Sequence, residues 1–293
     1  MTQRTLHLVS FAITIAIVGG VLFLSTQESS KRFAEFLTKN QKQHFSQLKK
    51  GERDLVSHLR LVSGELNVFP IQDRHLYGLL ASYRLGEGKP LVTYRPGPTG
   101  QLTIQSSKWR QLGVLGKDAW SLGLSKEVLH DLNITTHTAR QNLNLSGIPL
   151  KHLAIKSGTS RLNLYFNISN PVSMSEMSVR SGATDCRIFG LLRARAKTIH
   201  LEGAGRFLLD FSGTLSQSSF VSITGGIGKL KLLIPAKANA RIQFSDRLLT
   251  VFNIQGFYKI SENQYISDTF DPDKPVLDIT VKIKSGSLLV KAL

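Results

Sequence analysis

Gly225-Gly-Ile-Gly-Lys229 has the residue types of a phosphate-binding loop, but not its spacing. That chemistry needs a glycine five residues before Gly228 and a Ser or Thr after the lysine to hold magnesium. Ile223 and Leu230 occupy those places. Gly203-Ala-Gly205 lacks the third glycine of a dinucleotide fingerprint, because Leu208 stands there. The eight histidines contain no H-E-x-x-H, and His130 and His137 fall on segments that read as strand and loop. Asp268-Thr-Phe-Asp-Pro-Asp273 offers carboxylates without the glycine and distal glutamate of a calcium loop, and reads as a solvated connection. The single Cys186 allows no internal disulfide and no cysteine-built metal site. It sits at an apolar-phase position equivalent to Leu162 and Leu230, as a buried, inert thiol does. No cofactor and no metal is expected.

Cleavage of a glycan would need two neighbouring carboxylates. Aligned copies of the repeat described below place Lys156, Arg180, Glu202, Thr224 and Lys284 in one column, and Arg161, Asp185, Phe207 and Lys229 in another. Neither column stacks acids, and both suit holding an anion better than hydrolysing a sugar. Lys156, Arg161, Arg180, Lys229 and Lys231 are therefore the candidate contacts to an anionic or protein partner. The alternative is a surface enzyme acting on envelope polysaccharide through a carboxylate such as Asp185, Glu202 or Asp210.

The elements that must position these residues are written as an internal repeat. Leu153–Leu164, Met177–Ile188, Ile199–Asp210 and Val221–Leu232 each carry an alternating apolar segment, a small-residue turn and a second alternating segment. Aligned on the turn, Gly158, Gly182, Ala204 and Gly226 fall 24, 22 and 22 residues apart. Leu59–Val68 and Ile279–Val290 repeat the pattern at the two ends. A unit this small cannot bury its apolar face alone, so successive units must stack, each strand pairing with its equivalent one repeat later. The expected fold is all-β, a solenoid over residues 59–293. Its interior is Leu153, Ile155, Leu162, Leu164, Val179, Ile188, Leu201, Leu208, Ile223, Leu230 and Leu232. The more irregular residues 66–125 add strands to the first coils. An antiparallel sandwich of hairpins is the rival arrangement. The last strand, Ser287–Leu293, shows no evident cap, which suggests strand addition or self-association there.

Before the repeats, Leu8–Leu24 carries no charge, and residues 6–25 are long enough to span a bilayer as an uncleaved helical anchor. A cleaved signal peptide is the alternative, although no A-x-A-like site follows. Residues 29–58 read as an amphipathic helical connector, with Phe33, Phe36, Leu37, Phe45, Leu48 and Leu55 mostly three or four apart. It could serve as a stalk, lie on anionic lipid, or self-associate. Lys31, Arg32, Lys39 and Lys42 after the span argue for a cytoplasmic β-domain. That rule is weak where a long folded domain follows a single anchor.

The net charge is +17, with +5 from residues 1–60 and +12 from the rest, so the excess belongs to the β-domain and not to a tail. Such a surface favours anionic partners: phospholipid headgroups, acidic wall polymers or nucleic acid. Nucleic acid is disfavoured: there is no helix-turn-helix or finger spacing and no basic face with interleaved aromatics.

Asn144–Gly158, Met174–Ala183, Glu202–Gly205, Leu209–Gly213 and Gly225–Pro235 together resemble the toast-rack domain, and the likeness covers about residues 59–293. That domain occurs in membrane-anchored prokaryotic envelope proteins, including the LiaF type that responds to cell-wall-active antibiotics. The resemblance implies a right-handed β-helix-like domain, placed outside the membrane, in a protein of envelope-stress signalling or surface interaction; the one N-terminal span read here departs from the LiaF type, which often has several. It brings no catalytic residues.

Overall fold

Period-two alternation of apolar residues becomes strand through most of the chain. The computed structural model describes residues 40–84, 88–107, 118–246 and 250–293. The strands are β1 (Asn40–Leu48), β2 (Asp54–Ile71), β3 (His75–Arg84), β4 (Leu91–Arg95), β5 (Thr99–Gln105), β6 (Asp118–Ser125), β7 (Leu129–Asn144) and β8 (Leu150–Tyr165). They continue as β9 (Met174–Phe189), β10 (Ala196–Asp210), β11 (Ser219–Ile234), β12 (Ala240–Asp246), β13 (Thr250–Gln255), β14 (Phe257–Ser261), β15 (Gln264–Ser267) and β16 (Leu277–Ala292). A 3-10 turn at Leu191–Ala194 interrupts the return from β9 to β10.

The long strands β2, β7, β8, β9, β10, β11 and β16 lie side by side in that order, all parallel. Equivalent residues of successive repeats are paired: Ile155 with Val179, Val179 with Leu201, Leu201 with Ile223, and Ile223 with Val281. Parallel, like-to-like registers exclude the antiparallel sandwich. At each end a coil is completed by two shorter strands. β5 and β6 pair with the two halves of β2, and β12 and β13 with the two halves of β16. Antiparallel strands then flank these: β4 beside β5, β3 and β1 beside β6, and β15 and β14 beside β12.

Each long strand bends in its middle, and the sequence dictates where. Ile155 and Leu162 are both buried, yet they lie seven apart, an odd number that would put them on opposite faces of a straight strand. The chain must turn between them for both to reach one core. Val179 and Cys186, Ile223 and Leu230, and Val281 and Leu288 repeat the odd spacing. In β10 the interval from Leu201 to Phe207 is six, and the pairing slips by one residue on both sides of the bend. Gly205 absorbs that slip at φ 112°, where a Cβ would collide with the carbonyl oxygen of Thr184 on the preceding coil.

Burying Leu153, Ile155, Leu162 and Leu164 of one coil contributes roughly 1.5–3 kcal/mol each. An asparagine ladder reinforces the far arm on its outer face: Asn163 Nδ2 donates to Asn142 Oδ1 at 2.9 Å, and Asn142 Nδ2 to Asn67 Oδ1 at 3.3 Å.

Four expectations need correction. From Asn40 onward the connector is strand and not helix, and the sheet begins before residue 59. On β2, Leu55, Ser57, Leu59 and Leu61 all face inward, and buried Ser57 hides the alternation. On β1 three of the partly buried positions are glutamines, around a single apolar Phe45. Leu208 is on the outer face, and Phe207 and Leu209 fill the core instead, because the bend of β10 is one residue short. Lys284 and Phe207 do not occupy the columns assigned to them, as set out below. Lastly, β16 is not an open edge: β11 lies on one side of it, and β12 and β13 on the other. The expected anchor at residues 6–25 and the connector up to residue 39 lie outside the described residues. Among the described residues no helix is long and apolar enough to cross a membrane.

Candidate functional site

Parallel stacking turns a residue repeated in sequence into a column on the surface, with neighbours about 4.8 Å apart. Just before the bend, the outer face carries Lys156, Arg180, Glu202, Thr224 and Lys282 in one register. Lys282 takes the place expected for Lys284. Just after the bend, a second column runs Arg140, Arg161, Asp185, Arg206 and Lys229. Arg206 stands where Phe207 was expected, and Phe207 pairs with Cys186 and Leu230 inside. Lys231 lies two residues past Lys229 on the same exposed face, and Arg187 occupies the same column two coils away, with Leu208 between them.

All five predicted contacts, Lys156, Arg161, Arg180, Lys229 and Lys231, are therefore exposed, and four of them fall into these two columns. Arg140, Arg187, Arg206 and Lys282 were missed. Counting backward in β10 from the buried pair Phe207 and Leu209, rather than forward from the glycines, would have placed Arg206.

The acids are few and already engaged. Glu202 lies 3.7 Å from Arg180, and Asp185 lies 3.9 Å from Arg161 and 3.2 Å from Arg187. Arg140 reaches Glu65 at 3.6 Å. Such exposed pairs contribute at most about 1 kcal/mol each, so the arginines are open to exchange partners. Lys156, Arg206, Lys229 and Lys231 form no ion pair with any described residue. Asp210, the third candidate carboxylate, accepts from Ser212 N at 2.8 Å and Ser212 Oγ at 3.0 Å.

The bends of β7 to β11 align into a groove of about 840 Å³ that runs across the coils. Thr135, Lys156, Arg180, Glu202, Thr224 and Lys284 reach its walls, with Ser157, Ser181 and the bend glycines between them. The buried Ser181 hydroxyl finds no hydrogen-bond partner. Beneath it, Gln141 occupies a core position and donates to Ser157 Oγ at 2.7 Å and Thr136 Oγ1 at 3.1 Å.

The groups with the largest displacements in proton affinity lie elsewhere. Burial pushes the Cys186 thiol up to about 12, helped by the charge of Asp185, so the thiolate needed for nucleophilic chemistry does not form. His130 is pushed down to about 4 by burial, against the opposing bond to Ser125. Its Nε2 lies 2.7 Å from the Ser125 carbonyl oxygen and must be the protonated nitrogen, while Nδ1 is buried without a partner. Among the described residues no three His, Cys, Asp or Glu side chains are grouped to hold a metal ion.

Fold and surface together define an all-β stack of parallel bent strands with cations in register along its bends. Residues 35–189 match the N-terminal domain of toast_rack (DUF2154), more than half of the chain, and the protein belongs to the toast-rack family. No curated protein matches it. Among solved structures it is similar to a proposed cell adhesion protein of Clostridium sporogenes, at 17% identity and a TM-score of 0.48, over 87% of this chain and 100% of that one. It is also similar to a proposed adhesin of Bacteroides fragilis, at 10% identity and a TM-score of 0.34, over 86% of this chain and 97% of that one. Likeness at this level leaves the fold to be read from the strand registers themselves.

Proposed function

We propose that this protein is a non-enzymatic, single-pass membrane-anchored envelope protein whose β-domain is an interaction or sensing module for anionic partners. The observation that carries the reading is the column Arg140, Arg161, Arg206 and Lys229, cations held in register with Asp185 the only acid among them. Like charges placed side by side in a sheet destabilise it, so such a column is a cost to the fold. Binding an anion offsets that cost.

In this reading residues 6–25 anchor the chain in lipid, and the β-domain faces away from the cytoplasm. There it meets an anionic envelope polymer or an acidic membrane-protein partner, in cell-envelope stress response or surface adhesion of the LiaF-like kind. The stalk or a terminal coil can add self-association. Nucleic acid is not a partner.

The test is co-sedimentation of the full chain with anionic and with neutral polymer-coated beads, for wild type and for Arg161→Glu, Arg206→Glu and Lys229→Glu combined. Retention on anionic beads alone, lost in the triple variant, supports the reading. Equal retention on both surfaces, or none, overturns it.

A further inference from the structure

We infer that the groove along the bends is a track for a linear, phosphate-bearing polyanion lying across the coils. This rests on the anion-binding reading above and adds where the partner lies and what it is.

The groove reaches from Thr135 on β7 to Lys284 on β16. That is five strand spacings, about 24 Å, so its shape suits a chain and not a compact ligand. Lys156 and Arg180 stand in its wall with Lys284 at the far end, and Glu202 is its single acid. The second column, Arg161, Arg206 and Lys229, follows two or three residues past the bend, on the arm beyond the groove's lining. Between the cations the lining is mostly small residues and glycine, which leaves room for a thin chain, with Thr135 and Thr224 exposed there as hydroxyl donors.

Other partners fit less well. A single aromatic ring, that of His137, lines the groove, so there is no row of rings on which successive nucleobases could stack. None of the exposed large apolar side chains lines it either, so nothing there would insert into a bilayer. An extended acidic peptide repeats same-side carboxylates every ~6.8 Å and falls out of step with a ~4.8 Å column within two coils. A flexible phosphodiester chain has no fixed side-chain period to match. Arg180 in the groove wall supplies a planar fork that engages phosphate with two bonds at once, and Arg161 and Arg206 stand on the neighbouring arm.

The probe is linear inorganic polyphosphate, titrated calorimetrically against the full chain, with poly-L-glutamate, single-stranded oligothymidylate and anionic vesicles as parallel arms. Thr224→Trp fills the groove from an exposed position, and Glu202→Gln removes its acid. Arg187→Glu with Lys231→Glu reverses charge on the arm outside it. Polyphosphate should bind most tightly. Thr224→Trp should weaken it at least about tenfold, a loss of about 1.4 kcal/mol, while Glu202→Gln tightens it. Thr135→Trp replaces Thr224→Trp if the latter melts early. Polyphosphate binding unchanged by a groove-filling tryptophan overturns the inference, as does equal binding of polyglutamate or vesicles. Binding lost only in the Arg187 and Lys231 variant overturns the groove but leaves the anion-binding reading standing. No binding of any polyanion removes both.

Discussion

Arg206 of β10 is in register with Lys229 of β11, two cations on adjacent coils that form no ion pair with any described residue. Neighbouring strands put their Cβ atoms about 5 Å apart, where like charges repel even in water.

Removing that repulsion should stabilise the fold. Arg206→Gln is expected to raise unfolding stability by ~0.5 kcal/mol in urea denaturation while weakening retention on anionic polymer. A residue kept for the fold would lose stability on substitution, and that result would show Arg206 to be structural.

The bends set the second prediction. Gly286 has φ 133°, and a Cβ there would run into the carbonyl oxygen of Gly228 on the neighbouring coil. Gly286→Ala should cost about 3 kcal/mol or more, since neither backbone can retreat without breaking the ladder. Gly147 is also left-handed, at φ 70°, but its nearest would-be neighbour is the Ile168 side chain at 3.7 Å. Gly147→Ala should therefore cost only about 1–2 kcal/mol. Equal losses in thermal melts would mean that conformation alone, and not coil-to-coil approach, fixes the bend glycines.

His130 gives the stability a defined pH dependence. The unfolded chain takes up a proton near 6.5, whereas the buried ring resists protonation down to about 4. Protons thus favour the unfolded state between those values. The His130 contribution is complete above pH 6.5, declines as pH falls, and is gone below about 4, a change on the order of 3 kcal/mol. Urea midpoints measured from pH 7.5 to pH 4 should show this decline, and His130→Gln should flatten it from a lower starting value. A wild-type midpoint that does not move over this range would place the ring in contact with water.

Much of this architecture was legible because the repeat states it twice, in glycine period and in apolar alternation. Ile155, Val179 and Ile223 could be stacked on paper and are stacked in the fold. What escaped was single-residue geometry. Gly203-Ala-Gly205 fits either register, and only the packing of Phe207 and Leu209 decides that Arg206 turns outward. In β1 and the start of β2, Gln41, Gln43, Gln47 and Ser57 occupy partly buried or inward positions, so period two is masked and Phe45, Leu48, Leu55 and Leu59 mimic helical spacing. Capping of β16 was illegible for another reason: β12 and β13 precede it in sequence, and a strand that inserts between earlier ones leaves no local mark.

The salt dependence of anionic-polymer binding tests the central claim most directly. Cations held in register release counterions together, so the affinity of the full chain should fall at least about tenfold between ~50 and ~200 mM salt, and the slope should shrink when Arg161, Arg206 and Lys229 are reversed to Glu. An affinity indifferent to salt, or a slope untouched by those reversals, would contradict the claim that the stacked cations are the binding surface.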